Sequence, residues 1–142
     1  MEKYLKRIKE LAKEAAFNED VPVGAIVVKD DQIIAEGKNE QYKSGEIHRH
    51  AEMNAILEVC RKSNRYELDG TTMFVTLEPC LLCLGAIIEA RISKVIYLLE
   101  SPKYGFSRFI NKEEIDKKIE IQKAPSDPEI EELMKKFFES KR

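Results

Sequence analysis

Two stretches, residues 71–77 and 95–99, are apolar almost from end to end, with a helix-length segment between them. A strand that is apolar on both sides must be covered on both sides, as in a parallel sheet inside a layered fold. Parallel neighbours need a crossover, and that crossover is right-handed. The other elements arrange around this unit. Tyr4, Leu5, Ile8, Leu11, Ala12, Ala15 and Ala16 recur at helical spacing among Lys and Glu, predicting an amphipathic first helix. Residues 21–28 form a β-branched run, Lys29-Asp30-Asp31-Gln32 a turn, and Ile33-Ile34-Ala35 a second strand, together a hairpin. Residues 37–49 read as a surface loop and 51–61 as a helix. Pro79 suits the first turn of a helix reaching about Arg91. A loop at 102–107, a charged helix at 112–118, a short strand at 119–121 and a helix opened by Pro128 complete the order α-β-β-α-β-α-β-(α-β)-α. A hairpin followed by β-α-β crossovers gives an α/β fold of three layers, α/β/α, around a mixed central sheet. With no internal repeat or low-complexity linker, the expectation is a single domain over residues 1–142.

A chain of 142 residues is long enough to bury a substantial core. Its net charge of −2 excludes a generally basic nucleic-acid coat but leaves room for local basic patches. No apolar run approaches the ~18 residues of a membrane span, so no membrane partner is expected. Residues 1–13 alternate charged and apolar positions and lack the apolar core of a signal peptide. Three cysteines in such a chain point to thiols in a reducing compartment, and the expected setting is cytoplasmic.

Two short stretches carry chemistry: His50-Ala51-Glu52 at the start of one predicted helix, and Pro79-Cys80-Leu81-Leu82-Cys83 at the start of the next. Cys80 and Cys83 are three apart and share a helical face. A helix N-terminus also favours the thiolate that binds metal. Both helices begin at the same rim of the sheet, so one His and two Cys can converge on one zinc ion per chain. Three protein ligands leave the fourth place for water, the pattern of a catalytic zinc rather than a structural one. Zinc lowers the pKa of that water to roughly 7. Glu52, two residues beyond His50, can take its proton and return it to a leaving group. A redox Cys-x-x-Cys has no use for the His-x-Glu, and a closed structural site needs a fourth ligand. Cys60 lies ten residues beyond His50, ~15 Å along the helix, and is expected to be a buried core thiol. His48 reads as a solvated loop residue. A zinc-stabilised interaction module with no activity is a further reading, against which Glu52 argues.

His-x-Glu followed by Pro-Cys-x-x-Cys is the signature of the zinc nucleobase deaminases. Residues 20–28 (Asp-Val-Pro-Val-Gly-Ala-Ile-Val-Val), Asn39, His50-Ala51-Glu52 and residues 74–86 (Phe-Val-Thr-Leu-Glu-Pro-Cys-Leu-Leu-Cys-Leu-Gly-Ala) follow in order. The chain thereby resembles the bacterial tRNA-specific adenosine deaminases, within the cytidine and deoxycytidylate deaminase superfamily. The resemblance covers residues 4–105, and the Phe137-Phe138 ending is similar. It departs at Glu46-Ile47-His48-Arg49 and in a shorter segment over 106–118. It implies a cytidine-deaminase-like fold and hydrolytic deamination of the wobble adenosine of a tRNA anticodon loop to inosine. Zinc-bound hydroxide would attack C6, while Glu52 carries protons to N1 and to the departing amine. It further implies that Asn39 holds the purine through its side-chain amide and that the Ala51 backbone N–H reads the base. Lys103 and Arg142 are the candidate RNA contacts. The family is typically dimeric, and Leu81, Leu82 and Leu84 suit either a homodimer interface or the core. Guanine deaminases share nearly all the core motifs, so a small-molecule guanine or pyrimidine-nucleotide deaminase is the alternative.

Overall fold

The computed structural model describes residues 1–141; Arg142, a candidate RNA contact, lies outside them. Helix α1 (Glu2–Phe17) leads into the hairpin β1 (Gly24–Lys29) and β2 (Gln32–Lys38). A short helix α2 (Gln41–Ser44) and the helix α3 (Ala51–Ser63) follow, then β3 (Thr72–Leu77), α4 (Leu81–Glu89) and β4 (Lys94–Leu99). A 3₁₀ turn (Phe106–Arg108), α5 (Lys112–Asp116), β5 (Glu120–Lys123) and α6 (Pro128–Ser140) complete the chain. Among the described residues no helix is long and apolar enough to cross a membrane.

The five strands form one sheet in the order β2-β1-β3-β4-β5. β1 runs antiparallel to both β2 and β3, whereas β3, β4 and β5 are parallel, so the sheet is mixed as the sequence requires. The hairpin turn has Asp30 and Asp31 both at positive φ, which matches the twist of the strands it joins. Alternation along the strands splits the core in two. Ala25, Val27, Met73, Val75 and Val95 face α3 and α4. Ile26, Val28, Phe74, Ile96 and Leu98 face α1 and α6. Helices therefore cover both faces, and the three-layer α/β/α architecture stands.

Two glycines set how closely the layers approach. A Cβ on Gly24 would run into the Ile8 carbonyl of α1, and one on Gly37 into the Ala51 carbonyl of α3. The start of α3 is thus seated directly on β2. α6 is fastened at its own start: Asp127 accepts the Ile130 N–H at 3.2 Å and pairs with Lys9 of α1 at 3.1 Å.

Several boundaries differ from expectation for local reasons. β1 begins at Gly24 rather than at residue 21, because Pro22 has no N–H to offer a ladder and Val23 folds back on the Val21 carbonyl. α4 does not include Pro79. Cys80 is extended (φ −79°, ψ 174°) and caps the helix, and the Pro79 carbonyl accepts from the Phe106 N–H instead. At its other end α4 stops at Glu89, and Arg91 takes a left-handed conformation. The expected loop over 37–49 contains the single turn of α2.

Candidate active site

The N-termini of α3 and α4 meet at the rim where β3 ends. His50 is the N-cap of α3 and Glu52 lies in its first turn; Cys80 is the N-cap of α4 and Cys83 lies in its first turn. The donor atoms of His50, Cys80 and Cys83 all lie within 4.8 Å of one another, and no other group of this kind occurs among the described residues. His50 Nδ1 is 3.3 Å from Cys83 Sγ and 3.6 Å from Cys80 Sγ, so Nδ1 is the nitrogen presented to the cluster. The three groups shift one another. Hydrogen bonding from Cys83, and then from His50, holds the Cys80 thiol down at about 4. Cys83, donating to that sulfur and buried, is raised well above the usual thiol range. His50 is raised, first by its hydrogen bond to Cys80. Two sulfurs and an imidazole converging at this spacing, one thiol held well below its usual range, are a donor set that suits zinc.

Glu52 is 4% exposed, and burial pushes its carboxyl up to about 7, with Cys80 adding to the rise. A carboxyl poised near neutrality beside such a donor cluster can both accept and return a proton. It opens onto a cavity of about 920 Å³ that His50, Cys80 and Asn39 also line. The mouth carries exposed apolar side chains, among them Tyr42, Leu82, Tyr104 and Phe138.

Cys60 stays out of the cluster, as its distance along α3 requires; it is half-buried against the core rather than fully enclosed. Cys60→Ala is expected to keep full zinc content and activity within about twofold, checked by metal analysis and turnover. His48 sits in the loop half-exposed, 3.9 Å from a Glu46 carboxylate oxygen, rather than fully solvated. Leu84 belongs to the core, while Leu81 and Leu82 are 43% and 47% exposed. Asn39 is buried and reaches the cavity, but its Oδ1 accepts the Ala51 N–H at 2.9 Å. The Ala51 N–H, expected to read the base, thus has a partner within the protein. That bond occupies the Asn39 oxygen and leaves its amide nitrogen without a hydrogen-bond partner of its own among the described residues. Lys103 is exposed and does not line the cavity, although Pro102 and Tyr104 on either side of it do.

Two buried carboxylates escaped the sequence reading. Asp20 accepts the N–H groups of Val21 (3.0 Å) and Tyr42 (2.9 Å), fixing α2 at the mouth. Glu78 accepts those of Ser101 (3.2 Å) and Ser107 (2.9 Å). The only sequence signal was an acid at the start of one apolar stretch, after Asn18-Glu19, and another inside the second.

Residues 1–99 match the model of the cytidine and deoxycytidylate deaminase zinc-binding region. A tRNA-specific adenosine deaminase of Aquifex aeolicus is 35% identical over 145 residues, spanning 99% of this chain and 95% of its own. Among solved structures, one from a study of A-to-I editing by tRNA:A34 deaminases at the wobble position of transfer RNA superposes with a TM-score of 0.77. It is 27% identical and covers 85% of this chain and 96% of its own. A guanine deaminase of Bacillus subtilis superposes with a TM-score of 0.67 at 42% identity, covering 70% of this chain and 64% of its own. With a family-model match over residues 1–99 and a relative 35% identical along nearly its whole length, the chain belongs to the zinc-binding cytidine and deoxycytidylate deaminase family, among the tRNA-specific adenosine deaminases.

Proposed function

We propose that the chain is a single zinc-dependent deaminase domain over residues 1–142 that converts adenosine to inosine at the wobble position of tRNA. The observation that carries this reading is the pairing of end-to-end tRNA-specific adenosine deaminase relatives with a buried carboxyl beside the His50-Cys80-Cys83 cluster. His50, Cys80 and Cys83 hold one zinc ion per chain, which supplies the Lewis acidity that makes water a nucleophile near neutral pH. Glu52 takes one proton of the attacking water to N1 of the base, then takes the second from the hydroxyl added at C6 to the exocyclic amine, which leaves as ammonia. The Asn39 amide nitrogen donates to the base edge, held in place by the bond between its oxygen and Ala51. A cavity of about 920 Å³ is roomy for a base alone and suits a nucleotide with its neighbours. An anticodon loop is single-stranded, so its base can be splayed into such a pocket at modest cost. Lys103 beside the mouth, with Arg142, serves the phosphates. A homodimer through the exposed Leu81 and Leu82 and a cytoplasmic, reducing setting complete the reading.

The rival is a small-molecule guanine deaminase, favoured by the 42% identity to the Bacillus subtilis enzyme. Ammonia release from tRNA, guanine and dCMP in parallel decides between them. For an RNA substrate, kcat/KM on an anticodon stem-loop is expected to fall with salt, with a log–log slope of about −2 for three phosphate contacts. A flat salt response together with rapid guanine turnover sinks the tRNA reading.

A further inference from the structure

Glu78 stands two residues before Cys80 and is 3% exposed, yet no part of the proposed chemistry uses it. Its backbone N–H donates to the Leu99 carbonyl at 2.8 Å, which places it where β3 and β4 end side by side. Its two oxygens divide their work: Oε1 accepts from Ser101 and Oε2 from Ser107, the two ends of one loop. Gly105, between them, packs so closely that a Cβ would collide with the carboxylate. The same loop is stitched to the metal segment by a bridge between Cys80 and Gly105 and by the Phe106 N–H on the Pro79 carbonyl at 2.9 Å. Ser101, Pro102 and Tyr104 of this loop line the cavity. A charged acceptor bonded to two backbone donors is among the stronger holds a loop can have.

We infer that Glu78 is a positioning residue whose carboxylate fixes the 101–107 loop as one wall of the pocket, and so governs how tightly a large substrate is held rather than how fast it reacts. The choice of RNA as that substrate rests on the proposed function; the role in the loop does not. Losing one acceptor sets the loop moving among states, and only the fraction in the competent one binds, so the apparent affinity falls by that fraction. The proposed metal donors sit at the starts of α3 and α4 and make no hydrogen bond with this carboxylate, whose two oxygens go to Ser101 and Ser107.

Glu78→Gln keeps the shape but turns an amide N–H₂ toward one of the two donors. In the zinc-loaded variant the Ser101 and Ser107 amides are expected to exchange hydrogen at least ~10-fold faster, with KM for an anticodon stem-loop raised ~10-fold. Zinc content and kcat should stay within about threefold of wild type. Gly105→Ala, which forces the loop off an intact Glu78, is expected to reproduce the KM rise and carries the test should Glu78→Gln fail to fold. Unchanged exchange at both amides overturns the inference. So does a loss confined to zinc content and kcat with KM unaltered, which would make Glu78 a support of the metal segment. If the wild type turns over guanine and not the stem-loop, the RNA reading fails, while amide exchange and KM for guanine still decide the role of Glu78.

Discussion

Glu52→Gln is expected to lower kcat on the preferred substrate by at least ~10⁴-fold while leaving zinc near one per chain. Glutamine matches glutamate in size and keeps one hydrogen-bond acceptor, but it can neither accept nor return a proton. General acid–base catalysis typically contributes ~10²–10⁴ in rate, or ~3–5 kcal/mol of barrier. Glu52 is asked to act at more than one proton transfer, which sets the expectation at the upper end. Its raised pKa, caused first by burial, fits that double duty: a carboxyl near neutrality is a workable base and a workable acid at the same pH. None of the three proposed ligands changes, so metal analysis and single-turnover kinetics separate chemistry from metal binding. A loss under ~10-fold at saturating substrate would mean that another group moves the proton. A metal-free variant would mean that Glu52 holds the cluster together.

Cys83→Ser is expected to weaken zinc binding by more than ~100-fold, since changes in the surrounding shell alone cost 10–100-fold. Activity should fall with the metal. Cys83 is fully buried in the first turn of α4, so the serine hydroxyl would sit in the same place without a thiolate's affinity for zinc. Because bound metal stabilises the folded state, the melting temperature should fall too, and added zinc should recover only part of it. Metal content after gel filtration and a thermal melt with and without a chelator are the measurements. Full zinc in the variant with unchanged coordination would remove Cys83 from the ligand set.

The cluster was legible in the sequence because its members are local: His50 with Glu52, and Cys80 with Cys83, each sit within one helical turn. The sheet was legible for a similar reason, since the apolar runs at β3 and β4 and the Asp30-Asp31 turn announce themselves over a few residues. What escaped depends on partners far along the chain. Pro79 reads as a helix opener until Phe106, from a distant loop, takes its carbonyl. The Ala51 N–H looks free for a ligand until Asn39, twelve residues earlier, accepts it. Lys103 lies beside the mouth in sequence terms, but its exposed side chain is not part of the wall. Asp20 stands at the edge of one apolar stretch and Glu78 within another, and nothing nearby tells which loop each one ties down.

The proposed metal donors and Glu52 sit on helix starts packed against the sheet, while much of the pocket mouth hangs on loops tied back by single carboxylates. The two therefore drift on different clocks. A substitution in 41–49 or 101–107 reshapes what fits the pocket at a local cost, whereas one beneath α3, where Gly37 admits no side chain, disturbs the reaction itself. One reactive centre can in this way be passed down a lineage nearly unaltered while its clientele changes. Relatives acting on a free base and on a nucleotide within an RNA are then expected to differ first at the mouth, and attempts to redirect this enzyme are best aimed there.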